Sequence, residues 1–536
     1  MTATRRWLPF ALFAGAALIA GFTALRGIDH FDEGLVLQAA ARVADGQLPY
    51  RDFAWSYGPA QPYLLGGSFE LFGPSLLGWR LLRVLAVALT ALLVFVLARR
   101  VAGTRLALVA WLVAACALAQ PANASPFPVA LLLALLALAV AARERTGTHD
   151  GPVTQTLAAR EPPGSRQALL AGLLCGLAAS WRLDFAIYGV AAAGAAFLFA
   201  HGDLRRRLEL CGLMALAAVA TGALFYLPFA IAVGPADLYE ELVGKSLRER
   251  EYWTLPFPLD YPGGLRAWPP SALAEDAKDL LSFYLPLLTV AGFAVAAAAV
   301  AARWLRGQRP EPAVAGLLVL ALGGASYLLS RTDEFHATPL VVALAVLLPA
   351  LAARGWGEER RSGRALAVAA ACGLALLLAY GAANRLSALF LPPELQAIEA
   401  EAADGVRAPP GEARALARVT EVVKARVPPD APIFVAPRRS DLVAFENPMV
   451  YVLAERDNPT RADVGLRAGA AAQRRLVTGL ERSRPRIVVR WTAAKSSERE
   501  PNLRGRPSGV HTLDLYLAAR YRRLERLPGY ELLERR

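Results

Sequence analysis

Three carboxylates stand within five positions of one another near the start of the chain, in Gly27-Ile28-Asp29-His30-Phe31-Asp32-Glu33-Gly34. An acid at the mouth of a cavity can act as a general base, taking the proton of a hydroxyl as its oxygen attacks a carbon. The Asp32-Glu33 pair also has a structural reading: Asp32 as N-cap of a helix over 33–44, with Glu33 favourable in the first turn. Three groups of cations could meet the anion that such an attack expels. They are Arg331-Thr332-Asp333-Glu334-Phe335-His336, the turn holding Arg182 and Asp184, and Lys245, Arg248 and Arg250. Each could equally snorkel to a membrane interface or pair with a neighbour. Asp333 or Glu334 could join Asp32 in holding a divalent ion through oxygen ligands, a point the residues leave open.

The elements that must position these residues are apolar. The chain has 536 residues, 55% of them hydrophobic and 19% charged. Its apolar residues are bunched into long blocks, unlike those of a soluble enzyme of this length. Crossing a bilayer takes about 20 apolar residues. Spans are expected near 7–25, 78–98, 106–120, 126–142, 168–181, 184–200, 208–233, 280–302, 313–330, 337–353 and 365–384. Every second connection is rich in arginine: Arg5 and Arg6; Arg99, Arg100 and Arg105; Arg143, Arg145, Arg160 and Arg166; Arg205, Arg206 and Arg207; Arg303, Arg306 and Arg309; Arg354, Arg360, Arg361 and Arg364. The positive-inside rule assigns these to the cytoplasm. The chain is therefore expected in the cell membrane as a multi-pass protein, with its N-terminus cytoplasmic and its tail extracytoplasmic. The first block follows Arg5-Arg6 as a secretory signal would, but its length favours an uncleaved anchor.

The fold class expected is an all-α polytopic membrane domain over 1–384, of about eleven transmembrane helices, with a C-terminal soluble α/β domain over 385–536. In the tail a helix over 412–427 leads to Ile433-Phe434-Val435, and one near 470–483 leads to Ile487-Val488-Val489. A third helix is expected over 511–523. Two large outer segments, 26–77 and 234–279, connect spans, and 147–166 reads as a flexible inside loop.

Net charge of +13 does not imply nucleic acid, because no basic stripe interleaves with aromatics. Only Lys245, Lys278, Lys424 and Lys495 are lysines, so arginine is the default cation of this chain. Cys116, Cys175, Cys211 and Cys372 fall in apolar blocks, with neither metal-ligand spacing nor a disulfide pattern. Asn123-Ala124-Ser125 matches a glycosylation acceptor but hugs two spans, and Gly505-Arg506-Pro507 reads as a solvated loop rather than a phosphate cradle.

One region is more specific. The acidic pair follows the first span, and a helix-like stretch separates it from Gly46-Gln47-Leu48-Pro49-Tyr50-Arg51-Asp52-Phe53 and Tyr57-Gly58-Pro59. This arrangement resembles the first outer loop of the GT-C superfamily of glycosyltransferases. That superfamily includes the protein O-mannosyltransferases, the lipid A aminoarabinose transferases and the bacterial family with a lipopolysaccharide-glycosyltransferase-like domain. The likeness in layout covers roughly residues 5–384, and the discriminating motif lies in 29–59. It implies a catalytic aspartate at Asp32 with Glu33 beside it, a polyprenyl-phosphate sugar as donor, and inversion at the anomeric carbon. The acceptor would be a glycan, a lipid or a protein. Topology points the same way, since nucleotide sugars are cytoplasmic and the acidic loop is expected outside. The leaving group would then be a lipid phosphate, whose charge needs a cation or a metal. Arg331, His336 and Arg182 are the expected phosphate contacts, and Tyr50, Arg51 and Tyr57 the candidate sugar or acceptor contacts. Trp55 and the two tyrosines could instead mark the membrane boundary. No cofactor is expected beyond the open question of a divalent cation.

The rivals are a transporter, an O-antigen ligase or polymerase, and a structural protein whose tail binds envelope polymer. A transporter would carry charge or broken helices at mid-span. The ligases would lack an acidic pair directly after the first span.

Overall fold

In the computed structural model of the chain, the described residues are 3–120, 127–143, 145–146, 160–161, 163–356, 361–444, 446–463 and 468–536. Asn123-Ala124-Ser125 and residues 147–159 lie outside them.

The apolar blocks are helices. Five are long and apolar enough to cross a membrane: Leu76–Ala117, Leu204–Val233, Pro270–Trp304, Glu334–Trp356 and Arg361–Phe390. Ala3–Gly21, Phe127–Ala141, Ser165–Trp181, Leu183–Phe199 and Pro312–Leu328 are shorter helices of the same bundle. Leu76–Ala117 holds two expected spans, 78–98 and 106–120, as two helices that meet at Gly103 and fold back beside one another, so that Arg83 Nη2 donates to the Gln120 carbonyl at 3.2 Å. At Gly103 φ is +79°, which glycine adopts without a Cβ clash. Glu334–Trp356 is the central helix, almost wholly covered, while Leu204–Val233 lies at the periphery with most of its apolar surface bare. A hydrocarbon surround accepts such a face; water would not.

The bundle has two unlike ends. At one, the arginine-rich connections meet: Arg206 donates to Ser165 Oγ at 2.9 Å, Arg354 pairs with Glu311 at 2.6 Å, and Arg207 and Arg309 both donate to the Leu198 carbonyl. At the other lie the first large connection, the Arg182 turn, residues 330–333 and the tail.

Arg361–Phe390 runs on past the expected boundary at 384. Beyond it the tail builds a four-stranded sheet from β1 (Phe434–Ala436), β2 (Ile487–Trp491), β3 (Tyr521–Leu527) and β4 (Tyr530–Arg535), in the order β1-β2-β4-β3. β1 and β2 are parallel and the other pairings antiparallel. Side chains alternate across the sheet. Val435, Ile487, Val489 and Leu532 share a core with helix Pro410–Arg426, while Phe434, Val488 and Leu533 pack with helices Ala470–Ser483 and Thr512–Arg520. The helix expected over 511–523 stops at Arg520, because Tyr521 onward pairs with β4 through a hairpin at Pro528-Gly529.

The tail core is continuous with the core beneath it. Arg42, buried on helix Asp32–Ala44, is bonded to both oxygens of Asp463 at 2.8 and 2.9 Å and to the Thr460 carbonyl at 2.7 Å. Gly34 lies so near helix Met449–Ala454 that a Cβ there would meet the Met449 nitrogen at 2.4 Å. His30 stacks on Trp491 with centroids 5.3 Å apart; Gly27 N–H donates to the Arg407 carbonyl and Arg407 N–H to the Leu25 carbonyl, each at 2.8 Å. The first connection is thus held between the bundle and the tail.

Candidate active site

The Asp29 carboxylate, rather than that of Asp32, caps the turn at the start of helix Asp32–Ala44. Its Oδ1 accepts the N–H of Phe31 at 3.0 Å and of Asp32 at 3.2 Å. Asp32 is therefore released from capping. Among the described residues no hydrogen bond or ion pair holds its carboxylate. It is half-buried, and burial, reinforced by the nearby charges of Asp29 and Asp333, pushes its pKa up to about 7, against the opposing pull of Arg331 and Arg83.

Glu33, expected beside Asp32 in catalysis, is buried and fully engaged by a cation. Both its oxygens are gripped by Arg80, Nε to Oε1 and Nη2 to Oε2 at 2.7 Å each, and both side chains are fully buried. Arg80 also donates to the carbonyls of Ala24 and Gly27 at 2.8 Å. A bidentate pair of this geometry leaves the carboxylate no free face. Glu33 and Arg80 fasten the first connection to the first turns of helix Leu76–Ala117.

The three expected phosphate contacts come together through a chain of contacts. The Arg182 guanidinium lies over the rings of Tyr57, Phe185 and Tyr327 at 5.2, 5.4 and 4.9 Å, and binds both oxygens of Asp184. Tyr327 packs on His336 at 4.7 Å. His336 Nδ1 lies 2.7 Å from Asp333 Oδ1, and the same oxygen accepts the His336 backbone N–H at 2.9 Å, capping helix Glu334–Trp356. Asp333 Oδ2 accepts from Arg331 Nε at 2.8 Å. The remaining edge of Arg331 is also engaged: Nη1 and Nη2 donate to Glu500 of the tail at 2.9 and 2.7 Å, and Nη1 to the Trp253 carbonyl at 3.2 Å. Thr332 donates to the carbonyls of Leu255 and Pro256, so residues 253–256 cover the 330–333 turn.

The expected sugar contacts separate. Tyr57 is at the site, against Arg182 and within the field of Asp32. Tyr50 is buried in a left-handed conformation, φ +70°, with its hydroxyl donating to the Tyr57 carbonyl at 2.7 Å; it shapes the turn that presents Tyr57. Arg51 is solvent-exposed and paired with its neighbour Asp52. The Tyr57-Gly58-Pro59 motif has a steric cause. Gly58 N–H donates to the Trp181 carbonyl at 3.0 Å, and a Cβ at Gly58 would fall 2.1 Å from the Ser180 oxygen. Of the 245–250 cluster, Arg248 pairs with Glu240.

Solved structures with the same architecture exist, although no family model and no curated protein matches the chain. ArnT from Cupriavidus metallidurans bound to undecaprenyl phosphate superposes with a TM-score of 0.53 at 15% identity, over 99% of this chain and 98% of that one. Its apo state gives 0.55 at the same identity and coverage. The archaeal oligosaccharyltransferase AglB from Archaeoglobus fulgidus, in complex with an inhibitory peptide and a dolichol-phosphate, gives 0.52 at 14% identity, over 92% of this chain and 70% of that one. This chain shares the fold of ArnT and AglB.

Within this fold, sequence reasoning overlooked Arg80 and Arg83. They lie three apart at the start of an apolar helix, where an unpaired charge is expensive, and that was the available signal. Arg83 is buried near Asp32, its guanidinium 5.6 Å over the Trp79 ring. Glu500 gave no signal, since only the tail's folding carries it to Arg331. Among the described residues no cage of three ligand-type side chains for a divalent ion forms at Asp32. Asp333 is committed to Arg331 and His336, and among the described residues Asp32 has no two ligand-type side chains close enough to share one ion. The cluster that does have such spacing, Asp441, His511 and Asp514, is in the tail, and Arg439 and Arg490 already neutralise its carboxylates.

Proposed function

We propose that this chain is a membrane glycosyltransferase that moves a sugar from a polyprenyl-phosphate carrier to an acceptor hydroxyl at the outer face of the cell membrane, with Asp32 as general base. The observation that carries this reading is the Asp32 carboxylate. It is free of partners among the described residues, poised near neutral pH, and set beside cations at the tail end of a GT-C bundle. A base with pKa close to the working pH combines a useful ionised fraction with a real appetite for the proton. As the acceptor oxygen attacks the anomeric carbon, Asp32 takes its proton and the carrier phosphate departs. The departing charge grows beside Arg331 and Arg83, with Arg182 and His336 continuing the polar wall, in surroundings that strengthen each interaction. Tyr57 offers its ring face to the sugar, and Glu33 holds the backbone that aims Asp32.

Two observations support the donor class and the sidedness. The solved ArnT and AglB structures hold undecaprenyl phosphate and dolichol-phosphate, both polyprenyl phosphates. The arginine-rich connections gather at the end opposite Asp32, which the positive-inside rule makes the cytoplasmic end. The N-terminus is then inside, and the acceptor is an envelope glycan, lipid or protein. The test is to incubate the purified chain with undecaprenyl-phosphate-linked sugars and a membrane extract, and measure release of undecaprenyl phosphate. Release that needs Asp32 supports the reading. Absence of release across the common hexosyl and pentosyl donors would end it.

A further inference from the structure

Glu500 fills the outer edge of the Arg331 guanidinium. The Arg331 guanidinium presents two bidentate edges, and both are filled by carboxylates: the Nε side by Asp333, the Nη1–Nη2 side by Glu500. Asp333 belongs to the same turn as Arg331 and is fixed as the cap of helix Glu334–Trp356. Glu500 comes from the tail, 169 positions away along the chain. Of the two carboxylates, only Glu500 sits on a segment with an internal scaffold of its own. Within 498–506, Glu500 also pairs with Arg504 and accepts from Asn502 Nδ2 at 3.0 Å. Its N–H meets the Arg504 carbonyl at 3.3 Å, and Arg504 N–H donates to Asn502 Oδ1 at 2.8 Å. Removing Arg331 therefore leaves Glu500 with a second cation and an amide, so neither charge is stranded.

We propose that Glu500 is a residue of the donor site, an internal anion that holds Arg331 until the carrier's phosphate displaces it, so that donor arrival frees the 498–506 segment of the tail from the bundle. This inference rests on the functional reading above. Phosphate suits the exchange, because it offers Arg331 the same planar pair of oxygens with more charge behind them. Glu500 then returns to Arg504 and Asn502. The tail reports whether the site is loaded, at the place where an acceptor must approach Asp32.

The probe is undecaprenyl phosphate itself, titrated onto the full-length protein in detergent. Wild type should bind it, and Glu500→Gln should bind it tighter by roughly tenfold, because the competing anion is gone. In wild type, amide hydrogen exchange over 498–506 should rise on addition of undecaprenyl phosphate, while exchange over the Asp32–Ala44 helix does not. Equal affinities in wild type and Glu500→Gln, with exchange over 498–506 unchanged by the lipid, would overturn the displacement and leave the donor class standing. No binding by wild type would overturn both. The exchange measurement needs no variant, so a folding defect in Glu500→Gln cannot hide the answer.

Discussion

Arg80 grips both oxygens of Glu33 at 2.7 Å, whereas the carboxylate of Asp32, one residue earlier, is bonded to nothing among the described residues. The helix start at residue 32 turns one acid into the packed interior and leaves the other half-buried among the charges of Asp29, Asp333, Arg331 and Arg83. The two should fail differently. Asp32→Asn is expected to lower turnover by about 10²–10⁴-fold with unfolding temperature preserved or raised. Glu33→Ala strands the buried Arg80 charge and should destabilise the fold by about 3–5 kcal/mol. Thermal unfolding beside a donor-release assay separates them. A stable but inactive Glu33→Ala would move the chemistry to Glu33.

The raised pKa of Asp32 gives a pH test. A general base works ionised, so kcat/KM should rise with pH up to about 7 and level off above it, and the Asp32→Asn variant should lose that limb. The stability linkage has its own sign. The folded state keeps the proton from the ordinary value of 3.8 up to about 7, so Asp32 favours folding at acid pH and that contribution is lost as pH rises through about 7. Asp32→Asn should flatten the decline. A wild-type profile flat between pH 5.5 and 8.5 would contradict both statements.

The bundle was legible because hydrocarbon imposes one rule, a long apolar helix for each crossing, and arginine marked alternate ends. Asp32 and Tyr57 could be singled out as candidates for a local reason: the loop motif that carries them is short and contiguous. Three things were hidden. Glu33 and Asp32 look alike in sequence, and only Arg80, 47 positions on, distinguishes them. Arg331 reads as a free cation until the tail delivers Glu500. Strand β3, Tyr-Arg-Arg-Leu-Glu-Arg-Leu, lacks clean apolar alternation because it is an edge strand with charges turned to solvent, so its first three residues fall in the helix expected over 511–523 and the rest give no strand signal.

The contact between Gly58 and the Ser180 carbonyl sets the distance between the first connection and the Arg182 turn. A Cβ at Gly58 would lie 2.1 Å from that oxygen, and both partners are backbone, so no rotamer change relieves the clash. Gly58→Ala should cost about 1–3 kcal/mol and pull Tyr57 off Arg182. Turnover should fall more than stability alone explains, read as lower kcat at a temperature where the variant is fully folded. Wild-type kcat in a folded Gly58→Ala would show that the Tyr57–Arg182 stack does not matter to transfer.

Arg42 offers the sharpest test that the tail and the first connection act as one body. Its guanidinium is buried, bonded through Nε and Nη2 to Asp463, and also to Gln47 and the Thr460 carbonyl, so it spans from the Asp32–Ala44 helix into the tail. Arg42→Ala leaves Asp463 buried with, among the described residues, Asn458 alone to bond it, and should weaken docking by about 3–5 kcal/mol. Asp463→Asn should do less, since the amide still accepts one bond. In a double-mutant cycle the two losses should overlap rather than add, because both break one pair. Limited proteolysis within the tail and donor turnover should then move together: as the 458–463 segment loosens, Arg461 lets go of the Tyr50 carbonyl and of Ala54, and the turn that presents Tyr57 loses its support. A tail that undocks while turnover stays at the wild-type rate would mean that Asp32 is positioned by the bundle alone, through Glu33 and Arg80.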